Sequence, residues 1–536
     1  MARANQAAKE WAKLGAAARA KLLRQCMPTL HAAAEEWVRL SCAGKGIDEQ
    51  SQLCGEEWMT GPAILMRHLR QYAETLEGKH PAHKLRDMPD GGKQVFPSNL
   101  LDANFLPGNK ASMHFLPNSG PPSQLAVTEL GKDAPSEASG LSQGAAAVVL
   151  GAGNIHSIPP LDALYLLLKH NYASVIKLNP VNEYLQQPLS QALQPLVERG
   201  LIQVVCGDLN ATSALIHHPG VEHVHLTGSD GTYDAIVWGK DPEQAKRAGV
   251  KQLTKPVSAE LGAVTPLLVV PGPWSRADLK FHARHVAGML SHNNSYNCNA
   301  PKLLVTARHW PQRTAFMNYL RKELAALPAR HRWYPGADQR WQNFVDRYPQ
   351  AEVFGDKHWM LIPDVPLMKQ EYACRVEAFC GVIAEASIAA KHPDEFLRSA
   401  VPLVNEHVYG SLSCGILAPQ HTERKELQTA VQELKYGAVG VNAWGASVFA
   451  LGQTSWGAYP GHSAEDIQSG CGEVHNTLLL DNVEKSVLWA SFRPWLTPLY
   501  MPGHKRLKAV GKAWLEFEVK PNWWRFLKMG IPAMLG

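Results

Sequence analysis

Hydrophobic positions along this chain follow three spacings in turn, and each marks a different kind of element. From Trp11 to about Gly78 the spacing is helical: Trp11, Leu14, Leu22, Leu23 and Met27 share one periodicity, and Ile64, Leu65, Leu69, Tyr72 and Leu76 another. Between His80 and Gly144 that period fails. KQVFPSN and ASMHFLPN read there as short strands between Pro and Gly turns, and KDAPSEASGLSQG as a flexible loop. From Ala145 the pattern becomes a regular alternation. AAAVVLGAGN, ASVIKLNP, LIQVVCG, VEHVHLTGS and QLTKPVSAELG read as buried strands. LDALYLLLKHN, YLQQPLSQALQPLVERG, ATSALIHHP and DGTYDAIVWG read as the helices between them. Continuous Val, Ile and Leu in strands separated by helices predicts a parallel sheet covered on both faces, with ligand sites at the carboxyl ends of its strands. The fold class is therefore α/β of dinucleotide-binding type, although no Gly-x-Gly-x-x-Gly fingerprint is present.

Composition narrows the class. With 536 residues, 45% hydrophobic and 19% charged, the chain can bury more than one core, and two or three substructures are expected. A formal charge of +5 is too small for a chain of this size to imply a nucleic-acid partner. The nine cysteines are an odd number without paired metal-type spacing, which points to a reducing compartment and no metal site. The opening residues MARANQAAKEWAKLGAAARAKLL lack an apolar signal core, and no apolar run is long enough to span a bilayer, so a cytoplasmic location is expected. The tail adds one alternative. Leu507, Val510, Trp514 and Phe517 follow helical spacing among Lys505, Arg506, Lys508 and Lys512, with Trp523, Trp524, Phe526 and Leu527 beyond them. Such a basic amphipathic segment can lie on a membrane surface or pack on a neighbouring subunit.

The chemistry centres on Asn293-Asn294-Ser295-Tyr296-Asn297-Cys298-Asn299-Ala300-Pro301. A cysteine among small amides and a hydroxyl, just after the apolar run Val286, Ala287, Met289 and Leu290, reads as a nucleophile on a loop. A lone intracellular cysteine is otherwise a small core hydrophobe. Upstream, Glu260-Leu261-Gly262 supplies a carboxylate that can serve as a base.

The order along the chain of GAGNIHSIPP, SVIKLNP, HLTGSDG, SAELGAVTP, YNCNAPKLLV and VEAFCGVIA resembles the aldehyde dehydrogenase superfamily, from about Trp11 to about Leu488. The resemblance implies a nicotinamide cofactor-binding domain over residues 1–85 and 140–265. It also implies a β oligomerisation element over 86–139 and 475–500, an α/β catalytic domain over 266–474, and a homo-oligomer; 501–536 is the amphipathic tail. It implies NAD or NADP as cofactor and a small-molecule aldehyde as substrate. Cys298 would be the nucleophile, Glu260 the base that activates water, and Asn154, with the Cys298 amide, the donor to an oxygen that becomes negative. Lys177 would reach the adenosine ribose, Gly228 and Ser229 the pyrophosphate at a helix start, and Glu377 and Phe379 the nicotinamide ribose and ring. Each has a plainer reading: a strand-end lysine, an ordinary strand-to-helix turn, a surface carboxylate, a turn asparagine, a core aromatic.

Departures from the family pattern are local. Tyr233 stands where a second glycine is common in the helix after Ser229. Ala263-Val264 replaces Gly-Lys, Cys380-Gly381 replaces Gly-Pro, and Asn179-Pro180 occupies the place of a Glu that favours NAD. The expected activity is NAD(P)-dependent oxidation of an aldehyde through a cysteine thiohemiacetal and thioester. Two alternatives stay open: an acylating enzyme in which coenzyme A replaces water, and a catalytically silent scaffold.

Overall fold

A computed structural model describes residues 1–117, 119, 120, 123, 124, 130, 131 and 142–536. Most of the loop read over KDAPSEASGLSQG lies outside the described residues. The architecture is mixed α/β, built on two sheets that are mainly parallel.

The smaller sheet has six strands in the order Gly470–Cys471, Val257–Leu261, Val221–Gly228, Ala145–Leu150, Tyr172–Lys177 and Ile202–Val205. The five alternating strands read from the sequence are all here, paired parallel, with Gly470–Cys471 added antiparallel at one edge. Ala145–Leu150 is buried along its whole length, which is why its sequence is continuously apolar. The helices Ile158–His170, Leu209–His217 and Asp230–Val237 fall where the periodicity put them. One expectation needs correction. The stretch read as a single helix over YLQQPLSQALQPLVERG is a 3₁₀ segment, Pro180–Leu185, followed by two short helices, Gln186–Ala192 and Gln194–Glu198. Pro195 opens the second of these, because proline has no N–H to continue the preceding helix.

The larger sheet has eleven strands. Its parallel centre comprises Pro266–Val269, Leu303–Ala307, Val382–Ile388, Ser413–Leu417 and Ala438–Val441. On one side Val483–Trp489 pairs with Ala438–Val441 and carries Lys110–Phe115 and Lys93–Phe96, so both predicted short strands exist and extend the chain's own sheet.

The N-terminal region is helical as expected, in Ala2–Ala12, Ala16–Gly44 and Ile64–Leu76, with a π turn at Met59–Ala63. Against it packs the helix Leu507–Val519, the first part of the basic amphipathic tail. Leu507, Val510, Trp514 and Phe517 are all buried inside this chain, so this apolar face is not available to lipid. Gly511 permits the close approach, since a Cβ there would sit 2.6 Å from Trp58 Cβ. The contact is locked by charge. The buried Glu518 accepts from Arg67 Nη1 at 2.7 Å, Arg70 Nη2 at 2.6 Å and Trp514 Nε1 at 3.0 Å. A second helix, Trp523–Met534, folds back on the first and keeps Trp523, Trp524, Leu527 and Ile531 exposed.

Burial alone would raise the Glu518 carboxyl, yet the Arg70 and Arg67 guanidiniums hold it below its ordinary value. Its contribution to stability is therefore present above the ordinary carboxylate range and is lost as pH falls through the lowered value. Glu518→Gln leaves Arg67 with only Asp102 at 3.5 Å and Arg70 with only Glu74 at 2.8 Å, and should weaken this contact by about 3 kcal/mol. Hydrogen exchange of the Leu507–Val519 amides at neutral pH should accelerate more than about 100-fold. Unchanged protection would show that the ion network does not hold the helix.

Candidate active site

The helix Arg276–Ser291 delivers the chain to the nucleophile loop, starting from a capping box between Ser275 and Asp278. It stops in a left-handed run, with φ of 49° at Asn293, 58° at Asn294 and 65° at Ser295. Asparagine tolerates that region, which accounts for the amide-rich sequence. Asn294 is held by Nδ2 donating to the His331 carbonyl at 2.8 Å. The loop's own carbonyls are gripped by side chains. Lys302 Nζ donates to Asn297 O at 2.9 Å and Cys298 O at 3.0 Å, Thr265 Oγ1 to Cys298 O at 3.1 Å, and Trp444 Nε1 to Asn299 O at 2.8 Å.

Cys298 is partly exposed, and its Sγ–H points to Glu260 Oε1 at 3.3 Å. Glu260 is not a surface carboxylate: it is 1% exposed on the strand Val257–Leu261, and Oε2 has no hydrogen-bond partner among the described residues. Burial, reinforced by the nearby Asp162 carboxylate, pushes the Glu260 carboxyl up from 4.5 to about 7. Burial and the Glu260 and Glu377 carboxylates push the Cys298 thiol well above its ordinary value. The resting pair is thus a thiol hydrogen-bonded to a carboxylate poised near neutrality, an arrangement suited to proton transfer on demand.

Asn154 lies across the loop, donating from Nδ2 to Tyr296 O at 2.9 Å and keeping the second proton of the same amide. Its backbone carbonyl accepts from Lys45 Nζ at 3.2 Å and Asn293 Nδ2 at 3.1 Å, and Lys45 also pairs with Glu57 at 2.9 Å. Glu377 is ion-paired with Lys302 at 3.1 Å. Gly262 makes this possible, because a Cβ there would sit 1.8 Å from Glu377 Oε2. Lys45, Glu57, Asn293 and Lys302 are absent from the sequence-based site. The signal for Lys302 was a lysine entering an apolar strand, APKLLV, four residues after the cysteine; nothing local distinguishes Lys45 or Glu57.

Two cavities meet at Asn154, Glu260 and Cys298. One, of about 1110 Å³, follows the carboxyl ends of the six-stranded sheet and is lined by Lys177, Gly228, Ser229, Glu377 and Phe379 together with the three central residues. All eight residues singled out from the sequence therefore border one space. The other, of about 380 Å³, leads away on the opposite side of Cys298.

Comparison with known proteins finds the same likeness over part of the chain. The aldehyde dehydrogenase family model matches residues 174–338, which include the strand ending in Lys177, the Gly228-Ser229 turn, Glu260 and Cys298. Over these residues the chain is similar to the aldehyde dehydrogenase family. Solved structures of the same fold cover almost all of it. A mutant aldehyde dehydrogenase C from Pseudomonas syringae, in complex with NAD+ and octanal, has 13% identity and a TM-score of 0.59, covering 92% of this chain and 88% of its own. Lactaldehyde dehydrogenase from Escherichia coli has 17% identity and a TM-score of 0.58, covering 91% and 90%. Betaine aldehyde dehydrogenase from Staphylococcus aureus has 15% identity and a TM-score of 0.58, covering 92% and 87%. No curated protein matches in sequence.

The larger cavity has the size and the donors that suit a dinucleotide. No hydrogen bond or ion pair of the Lys177 ammonium is present among the described residues, while the rest of that side chain is buried. Ser229 caps the helix Asp230–Val237, whose first turn opens to the cavity at Asp230, Gly231 and Thr232. Tyr233, which stands where a second glycine is common, is buried in the same core cluster as Val237 and Leu253 and does not border the cavity. Phe379, at a φ of 42°, presents its ring beside Tyr334.

Proposed function

We propose that this protein oxidises an aldehyde to a carboxylic acid with NAD or NADP. The observation that carries the reading is the Cys298 thiol pointing at the buried Glu260 carboxylate where two cavities meet. Glu260 takes the thiol proton, and the sulfur attacks the aldehyde carbon. The oxygen that becomes negative is met by the free Asn154 amide proton and the Cys298 backbone N–H. When bound, the nicotinamide supplies the hydride acceptor, and the thiohemiacetal becomes a thioester on Cys298. Glu260 gives the first proton up to solvent and, ionised again, removes a proton from water as it attacks the thioester; the carbon–sulfur bond breaks, the Cys298 sulfur takes a proton back, and the acid leaves. Lys302 keeps the loop carbonyls and Glu377 in place throughout. A domain division at residues 140, 265 and 474, a cytoplasmic location and a homo-oligomer using 86–139 and 475–500 belong to the same proposal.

Water as acyl acceptor is supported by the unpartnered Glu260 Oε2, which leaves one oxygen for it. Purified protein mixed with aldehydes and either cofactor should show reduced nicotinamide and free acid in equal amounts without coenzyme A. An absolute need for coenzyme A would instead establish the acylating alternative. Absence of reduction with every aldehyde and both cofactors would leave the scaffold reading.

A further inference from the structure

We propose that the substrate is an uncharged aldehyde with a long hydrocarbon chain, and that the smaller cavity is a tunnel holding that chain beneath the helix Trp523–Met534; this rests on the aldehyde-oxidising reading above.

The tunnel wall is mainly apolar. Asn154, His292, Asn297 and Asn299, the last two flanking Cys298 in sequence, offer groups that suit a carbonyl. Most of the remaining wall is hydrocarbon and aromatic, typified by Phe105, Leu499, Val510, Trp514, Phe526 and Met529, with neutral polar side chains such as Asn104 and Asn109 among them. Glu260, beside Cys298, is the only Asp, Glu, Lys or Arg that lines it among the described residues. An aldehyde carrying a distal carboxylate or ammonium would therefore lose its hydration without gaining a partner. A flexible alkyl chain pays nothing of the kind and gains with every methylene it buries.

The roof comes from the two helices at the end of the sequence. Val510 and Trp514 belong to the helix fixed by Glu518, whereas Leu527, Ile531 and Met534 of the following helix both line the tunnel and face solvent, at 49%, 51% and 55% exposure. Trp495, 70% exposed, completes that rim. Side chains that are at once tunnel wall and outer surface mark the mouth, and here the mouth is apolar. A cavity that starts at Cys298, a mainly apolar wall without charge beyond Glu260 and an apolar rim together match a molecule with one polar end and a long apolar tail.

Gly530 gives a clean test. It lines the tunnel within the helix, and a Cβ added there meets nothing within 4 Å, so leucine fits the helix and projects into open space. In the unmodified protein kcat/KM should rise from propanal to tetradecanal by up to about fourfold per methylene until the tunnel is full. Gly530→Leu should lower the tetradecanal-to-propanal ratio of kcat/KM at least about tenfold. A flat series, or an unchanged ratio in Gly530→Leu, overturns the proposal even if aldehydes are oxidised. If no aldehyde is oxidised, the activity reading fails by itself and binding decides the tunnel. Dodecanol should quench tryptophan fluorescence saturably, butanol should not, and Gly530→Leu should abolish the dodecanol response. Dodecanol that binds no better than butanol, or equally well to Gly530→Leu, overturns the tunnel as a hydrocarbon site.

Discussion

Replacing Cys298 by serine should reduce aldehyde oxidation by at least about 10⁴-fold while leaving the fold and dinucleotide affinity nearly unchanged. A hydroxyl is a far weaker nucleophile than a thiol at neutral pH, and a base poised near 7 does not make up the difference. The substitution removes no grip on the loop. Lys302, Thr265 and Trp444 all hold backbone carbonyls, and none of them contacts the sulfur in these bonds. Dinucleotide titration followed by fluorescence, beside steady-state rates, separates the two effects. Turnover within tenfold of the unmodified enzyme would remove Cys298 from the mechanism.

The second large effect concerns Glu260, where activity and stability should move in opposite directions. Glu260→Gln removes the base for both the thiol and the water, and should slow turnover by about 10²- to 10⁴-fold. In the unmodified protein the rate should climb as pH rises through about 7, because the working form is the carboxylate; in the variant that rise should vanish. The stability sign follows from the same shift. A carboxyl raised from 4.5 to about 7 binds its proton more tightly when folded. Folding is therefore unpenalised below 4.5 and progressively penalised as pH rises towards 7. Above 7 the penalty levels off at up to about 3 kcal/mol. Glu260→Gln should thus be more stable than the unmodified protein at pH 8 and similar at pH 4, as read by denaturant unfolding. Equal stability at both values would mean that Glu260 is not desolvated as the structure places it.

The parallel sheet was legible because its strands are buried on both faces, so Ala145–Leu150 and Tyr172–Lys177 stand out as apolar runs ending at functional positions. The nucleophile loop was legible for a different reason: a left-handed backbone selects asparagine, and the amides surround the cysteine. What was hidden depends on long-range packing. Lys45 is close to Asn154 only after the helix Ala16–Gly44 has docked, and a lysine at a helix end looks exposed in sequence. The basic helix near the C-terminus hid its partner for the same reason. Its apolar face predicts burial against something, and the partner, Ile64–Leu76 with Arg67 and Arg70, lies more than 400 residues away. The helix break before Pro195 was available locally, since proline cannot donate to the preceding turn.

The central claim is a covalent acyl group on Cys298 whose release depends on Glu260. Glu260→Gln protein incubated with NAD+ and a long-chain aldehyde, then acid-quenched and analysed by peptide mass spectrometry, addresses it directly. The expected result is a thioester on the peptide containing Cys298 and on none of those carrying the other eight cysteines. An acyl group on a different cysteine, or reduced nicotinamide formed in a first turnover with no acyl-enzyme at all, would contradict it.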